Sequence, residues 1–309
     1  MRKIVVIVGP TASGKSDLAV HVAQKCNGEV ISADSRQVYR GLNVGTGKIT
    51  PEEMQRIPHH LLDIVDPGTV FSAHDFVLAG RRAIEDIASR GRIPIVAGGT
   101  AFYIDALIGA ISLPSQKPNE ELRALLEKRS TEELLLEIED KDPRRASMLT
   151  RHDERNNKRR LIRTLEVIDA QGVVPLAKGT PLYDVLWIGI DVPRPLLRER
   201  IHARLLSRMQ DGMLEEARVL HESGVTYERM DDLGLEYRYL AKVLQGEVAV
   251  EDMIPALEAK IWRYAKRQCM YWSRNKKINW FTREPFDAIT PLVKTFLKEN
   301  RDENLPLSA

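Results

Sequence analysis

The stretch GPTASGKS, Gly9–Ser16, follows the apolar run IVVIV and precedes a helical pattern. Its spacing, G-x-x-x-x-G-K-S, is that of a phosphate-binding loop. Glycines let backbone N–H groups turn inward around an anion, and the following helix adds the positive end of its dipole. Gly9, Pro10, Thr11, Ala12, Ser13 and Gly14 then wrap the anion, Lys15 reaches its terminal phosphate, and the Ser16 hydroxyl ligates Mg²⁺. A second reactive stretch, ADSRQVYRGLNVGTGK, opens at Asp34, where a predicted parallel strand ends. Ligands of open α/β sheets bind at that edge. A carboxylate there can ligate magnesium, act as a general base, or merely cap a helix. Ser35, Arg36, Gln37 and Tyr39 follow it; Gln37 can pair with an adenine edge and Tyr39 can stack on a base.

The usual owner of such a loop is ATP, which makes an ATP-dependent nucleotide or small-molecule kinase one reading. An NTPase also wants a second acid on a neighbouring strand. The expected neighbour, IPIVAGGT, ends instead in Gly98, Gly99 and Thr100. A further reading is a non-enzymatic RNA-binding module whose loop grips backbone phosphate.

The elements that must position these residues follow the alternation of a parallel sheet with helices on both faces. RKIVVIV is a strand buried on both sides. The helix after the loop runs from about Gly14 to Lys25. GEVISADS and HHLLDIVDP (His59–Pro67) are the second and third strands. Ser72 and Asp75 form a capping box that starts a helix ending at Gly91. RIPIVAGGT is the fourth strand. From about Leu113 to Leu182 only helices are expected, punctuated by Pro114, Pro118 and Pro143 and closed by AQGVVPLAKGTP; VLWIGIDVP then returns as a strand. The fold expected is α/β, a P-loop NTPase-like parallel sheet flanked by helices, with residues 1–112 and 183–309 as the core and 113–182 as an inserted all-helical domain. Beyond Pro193 come amphipathic helices, including IPALEAKIWRYAKRQCMYWSRNKK, and the tail after Asn300 is expected to be loose.

The 309 residues are 43% hydrophobic and 29% charged, a balance that suits a soluble globular protein, and no apolar run is long enough to span a bilayer. Two distant cysteines, Cys26 and Cys269, make neither a zinc site nor a disulfide framework, and suit a cytoplasmic setting. Net charge is only +2, yet bases cluster from Arg151 to Arg163 and again, with no acid, from Lys260 to Lys277. Two basic patches on a nearly neutral chain suggest a polyanion held at defined places. In NNKRRLIRTLEV, Leu161, Leu165 and Ile168 form a core stripe that leaves Arg159, Arg160 and Arg163 facing out. In the long C-terminal helix Ile261, Ala265, Cys269 and Trp272 line one face; Arg263, Lys266, Arg267 and Arg274 share another. Trp262, Tyr264 and Tyr271 are assigned to packing.

GPTASGKS, ISADSRQVYRGLNVGTGK, AGGTAFYI, NNKRRLIRTLEV and AKRQCMYW, in that order, resemble the tRNA dimethylallyltransferase (tRNA isopentenyltransferase) family across nearly the whole chain. The resemblance implies that the loop holds the diphosphate of dimethylallyl diphosphate, with Arg204 assisting and Mg²⁺ on Ser16. It implies that the acceptor is N6 of the adenosine on the 3′ side of the anticodon of tRNA. It gives Asp34 the role of base and places Thr100 near the reacting centre. It assigns contacts with the tRNA anticodon stem-loop to Asp34, Ser35, Arg36, Gln37, Thr100, Arg123, Arg159, Arg160, Leu161, Ile162, Arg163, Arg263, Lys266 and Arg267, and a further one to DDLGLEYRYL. The set of Cys and His that makes a zinc finger in eukaryotic relatives is missing, so the resemblance is to the bacterial form. A monomer with no zinc and no membrane partner is expected.

Overall fold

A computed structural model of the chain describes residues 1–114, 119–151, 154–174, 179–282 and 286–299. The expected breaks at Pro118 and within AQGVVPLAKGTP, and the tail after Asn300, fall wholly or partly outside those residues. Six strands, all parallel, form one sheet: β1 (Arg2–Val8), β2 (Gly28–Ser32), β3 (His59–His60), β4 (Ile93–Ala97), β5 (Tyr183–Asp191) and β6 (Asn279–Thr282), in the order β3-β2-β4-β1-β5-β6. The central strand β1 is apolar because both its faces are covered: Ile4, Val5, Val6, Ile7 and Val8 are all fully buried. Each such side chain contributes about 1.5–3 kcal/mol by leaving water.

The helices of the core are α1 (Lys15–Cys26), α2 (Pro51–Met54), α3 (Ala73–Ser89) and α4 (Ala101–Leu107) before the insertion. The insertion carries α5 (Glu120–Leu126), α6 (Thr131–Lys141), α7 (Pro143–Arg151) and α8 (Lys158–Gln171). After it come α9 (Arg194–Gln210), α10 (Met213–Glu222), α11 (Tyr227–Leu233), α12 (Leu235–Leu244), α13 (Val250–Trp272) and α14 (Ile289–Lys298). The chain divides into one unit of residues Met1–Ala110 and Pro181–Ala309, and a second of Ile111–Thr180. The second unit has its own core, in which Leu126, Leu134, Ile138, Leu149, Leu161, Ile162, Leu165 and Ile168 are buried together.

Two expectations fail for readable reasons. The third strand is two residues long, not nine, because Leu61 (φ 64°) and Asp63 (φ 54°) turn through the left-handed region. The turn brings Asp63, Ile64 and Val65 back against the segment after Asp34: Asp63 N–H donates to Gln37 O (3.2 Å), Ile64 N–H to Val38 O (2.8 Å) and Arg40 N–H to Val65 O (2.9 Å). The apolar run therefore backs the DSRQ segment instead of extending the sheet. The last helix pattern stops at Trp272, and β6 follows on the sheet edge. Gly189 of β5 makes room for it, since a Cβ there would lie 2.5 Å from Trp280 Cε3.

Candidate active site

Three strand ends meet at one edge of the sheet. The loop after β1 carries Gly9–Gly14, the loop after β2 carries Asp34, and the loop after β4 carries Gly98–Thr100. Because β4 lies between β1 and β2, the glycine pair separates the phosphate loop from Asp34. Backbone excludes a side chain at Gly98, where a Cβ would lie 2.2 Å from Ala33 O; a Cβ on Gly99 would lie 2.3 Å from Gln268 Nε2 and would displace that amide. The loops enclose a cavity of about 410 Å³ whose walls include Thr11–Ser16, Asp34, Gln37, Thr46, Gly47, Arg204, Tyr264 and Gln268.

The Gly9–Ser16 loop turns tightly between β1 and α1. Gly9 (φ 156°), Ala12 (φ 61°) and Gly14 (φ 94°) have positive φ, and Gly14 opens α1. Ser13 N–H donates to Pro10 O at 3.3 Å. Ser16 is exposed at the start of the helix. Lys15 is half-buried, and its Nζ donates to Pro10 O at 2.6 Å. Burial, and next the charge of Arg204, push its ammonium down to about 8, with Asp34 opposing. An anion in the cavity removes both penalties. Two buried polar atoms on cavity-lining residues, Ser13 Oγ and His59 Nε2, have no hydrogen-bond partner.

Asp34 is oriented by its own turn. Oδ1 accepts from Arg36 N–H (2.8 Å) and Gln37 N–H (3.4 Å), which leaves Oδ2 without a partner among the described residues. Thr100 stands beside it: Ser35 N–H donates to Thr100 Oγ1 (3.2 Å), and Thr100 N–H to Ala33 O (3.2 Å). Asp34 caps no helix, since the next one starts at Pro51; one of its oxygens closes a turn instead. Ser35, Arg36 and Gln37 are half-buried. The Gln37 amide is engaged at both ends, accepting from Ser32 Oγ (3.1 Å) and donating to Gly47 O (3.4 Å), so any base it reads competes with these. Gly234, in DDLGLEYRYL, sits against Arg36, whose Nε would lie 3.0 Å from an added Cβ.

Several expected contacts are corrected. Tyr39 is 2% exposed and cannot stack on a base; its hydroxyl accepts from Phe71 N–H (3.3 Å) and Arg229 Nη2 (3.2 Å). Leu161 and Ile162 are interior to the helical unit, at 0% and 3% exposure, so their side chains offer no surface to tRNA. Arg123 is committed to the buried Glu166, donating through Nε (2.8 Å) and Nη2 (3.1 Å). Burial raises the Glu166 carboxyl, but Arg123, the Asn119 N–H and Arg163 outweigh that and hold it low. Arg159 and Arg160 are exposed, with Arg160 bonded to Glu154, while Arg163 is half-buried and donates to Glu166 (3.2 Å). On α13 Arg263, Lys266 and Arg267 are exposed as expected.

The same helix holds what sequence reasoning missed. Its buried stripe is Leu257, Ile261, Ala265, Gln268 and Trp272, and Cys269 is exposed. A 3.6-residue period does not separate positions 268 and 269 after Ala265, and the apolar residue was the tempting choice. Gln268 ties two loops together: Oε1 accepts from Thr11 N–H (2.8 Å), and Nε2 donates to Gly99 O (3.0 Å). Tyr264, assigned to packing, lines the cavity. Burial and the charge of Asp34 raise its phenol, which stays a donor. His59 was likewise missed: its Nδ1 lies 2.8 Å from Ile57 O, and burial lowers its pKa.

Lys15 gives the site a pH signature. Its lowered pKa of about 8 means that the ammonium is lost as pH rises through that value, and a bound anion restores it. The Kd of an unreactive allylic diphosphate analogue, measured by calorimetry, is expected to rise about tenfold from pH 7.5 to pH 9. Lys15→Arg should flatten that profile. A Kd that does not change with pH in the parent protein would separate Lys15 from the anion.

A family model for IPP transferase matches residues 37–276, which leaves both the Gly9–Ser16 loop and Asp34 outside the matched range. A tRNA dimethylallyltransferase of Leuconostoc citreum is 42% identical over 88% of this chain and 90% of its own. A tRNA dimethylallyltransferase 1 of Geotalea uraniireducens is 41% identical over 89% of each. The crystal structure of the tRNA isopentenylpyrophosphate transferase of Bacillus halodurans matches with a TM-score of 0.72 and 35% identity over 96% of both chains. A eukaryotic dimethylallyltransferase acting on tRNA matches with a TM-score of 0.78 and 28% identity over 91% of this chain and 74% of its own. By its sequence over most of its length, and with a P-loop-like parallel sheet and an inserted helical unit, this chain belongs to the IPP transferase family.

Proposed function

We infer that the protein transfers a dimethylallyl group from dimethylallyl diphosphate to N6 of the adenosine 3′ to the anticodon of tRNA, releasing diphosphate. The observation that carries this reading is one cavity lined on one side by a phosphate loop with Lys15 and Arg204, and on the other by Asp34, in a chain of this family. In the reaction the bond from the allylic carbon to the diphosphate oxygen breaks, and a bond from that carbon to N6 forms. Charge develops on the leaving diphosphate. Lys15, Arg204 and the loop N–H groups stabilise it as a fixed set of donors, commonly the largest catalytic contribution. N6 is a weak nucleophile because its lone pair is shared with the purine. Asp34 Oδ2, left without a partner, takes the N6 proton, an effect of roughly 10²–10⁴-fold for a positioned base. Thr100 and the Ser35 N–H hold that segment in place.

The donors present suit Mg²⁺. Ser16 and Asp34 line the same cavity with hard oxygen ligands. Among the described residues no cluster of three His, Cys, Asp or Glu could hold a metal alone, but Mg²⁺ completes its shell with substrate phosphates and water. When bound, it would neutralise charge on the diphosphate.

The adenosine must leave its stack to enter the cavity, at a cost of a few kcal/mol that phosphate contacts offset. The exposed Arg159 and Arg160 of α8, and Arg263, Lys266 and Arg267 of α13, supply cations for them. A kinase reading is not favoured: the relatives that match over most of the chain are tRNA dimethylallyltransferases, and of the two strands beside β1, β4 runs into Gly98, Gly99 and Thr100 while β5 ends at Asp191.

The direct test incubates the protein with magnesium and unmodified tRNA, with dimethylallyl diphosphate in one tube and ATP in another, and weighs the digested nucleosides by mass spectrometry. An adenosine heavier by one prenyl unit in the first tube alone is expected; ATP consumption without prenylated adenosine would reject the reading. For the basic helices, Arg160→Ala and Arg267→Ala should each weaken tRNA binding and lower its salt slope by about one. Two unchanged slopes would remove both helices from the interface.

A further inference from the structure

The segment NVGTG, Asn43–Gly47, walls the cavity through Thr46 and Gly47 but lies outside every helix and strand. Its backbone polar groups are held by side chains from two helices, α9 and α10. Glu216, on α10, accepts from the N–H groups of Asn43 (2.8 Å), Val44 (2.7 Å) and Gly45 (2.7 Å), and from the Tyr237 hydroxyl (2.6 Å). One carboxylate thus gathers three consecutive backbone donors and a phenol, all strengthened by its charge. On the carbonyl side, Arg208 donates to Val44 O (2.6 Å) and to Gly45 O, and Arg204 Nη2 donates to Gly47 O (2.8 Å). The fit leaves no room for side chains. A Cβ on Gly45 would lie 2.4 Å from Tyr237 Oη, and one on Gly47, where φ is +58°, 2.3 Å from Arg204 Nη2.

We propose that Glu216 is a positioning residue for the anion site: it fixes the 43–47 loop so that the Gly47 carbonyl holds the Arg204 guanidinium at the cavity. The proposal rests on the reading that Lys15 and Arg204 receive the diphosphate. Among the described residues Arg204 makes no ion pair, and its hydrogen bond is the one to Gly47 O. Without that anchor a long, exposed side chain samples many rotamers and loses that freedom on binding. Glu216 touches neither substrate nor Arg204, so its effect runs through the loop. Glu216→Gln isolates it, because the amide keeps the size but points an NH₂ group at backbone N–H donors.

The test is a double-mutant cycle read as the Kd for inorganic diphosphate with magnesium, with circular dichroism confirming that each variant is folded. Glu216→Gln is expected to raise Kd about tenfold, and Arg204→Ala by at least as much. In the Arg204→Ala background, Glu216→Gln should add less than about twofold. A role in stability alone would lower the melting temperature and leave Kd where it was. Folded Glu216→Gln protein that binds diphosphate like the parent, or a tenfold penalty that persists without Arg204, overturns the proposal. If Arg204→Ala itself binds like the parent, the anion-site reading falls and takes this one with it. Should Glu216→Gln fail to fold, Tyr237→Phe, which keeps the ring packed, is carried through the same cycle with the same criteria.

Discussion

Lys15 and Arg204 bring two positive charges to one partly desolvated cavity, where burial and mutual repulsion disfavour the charge on Lys15. Without a ligand this is a cost that the rest of the fold must sustain. The ammonium is steadied by the Pro10 carbonyl, and the guanidinium by the Gly47 carbonyl, both of them backbone atoms. Neither partner neutralises charge. Asp34 favours the charge on both cations but does not outweigh burial and their like-charged neighbours, so an anion in the cavity stabilises them further, and preorganised donors of that kind need no rearrangement as charge develops on a leaving group.

The order of the strands turns this anion site into a reactive one. With β4 between β1 and β2, the phosphate loop and Asp34 are held one strand apart at the same edge of the sheet. The intervening loop must be thin, which Gly98 and Gly99 secure by close approach to Ala33 and Gln268. Gln268 spans from Thr11 N–H to Gly99 O, so the long helix that presents cations to solvent on one face braces the cavity with the other. Exposed positive charge and site geometry thus share one element. A substitution on α13 therefore needs two readouts before its effect is assigned to either.

The chemistry-bearing residues were legible because they are local. The phosphate loop is set by glycines at fixed offsets behind an apolar strand, and the strand that ends at Asp34 needs no partner to be recognised. The helical unit was visible from the loss of strand pattern after Leu113. What escaped depends on distant neighbours. HHLLDIVDP has the composition of a strand, yet Leu61 and Asp63 turn so that the run can pair with the segment after Asp34. Tyr39 looked available beside polar residues, but it is enclosed. Gln268 sits in an apolar stripe, and nothing in the period says that two loops arrive above it. Glu216 is one acid among several on an amphipathic helix, and only the folded chain shows three backbone N–H groups converging on it.

The central claim is that Asp34 uses its unpartnered oxygen to take the N6 proton while the phosphate loop holds the leaving group. The most direct measurement is single-turnover prenyl transfer by Asp34→Asn, alongside its affinities for tRNA and for diphosphate. Asparagine keeps the carbonyl oxygen that caps the turn and removes the base. The account expects both affinities to stay within about twofold while the transfer rate falls by roughly 10²-fold or more. A rate close to that of the parent protein would contradict it, and would leave Asp34 as a turn-capping residue.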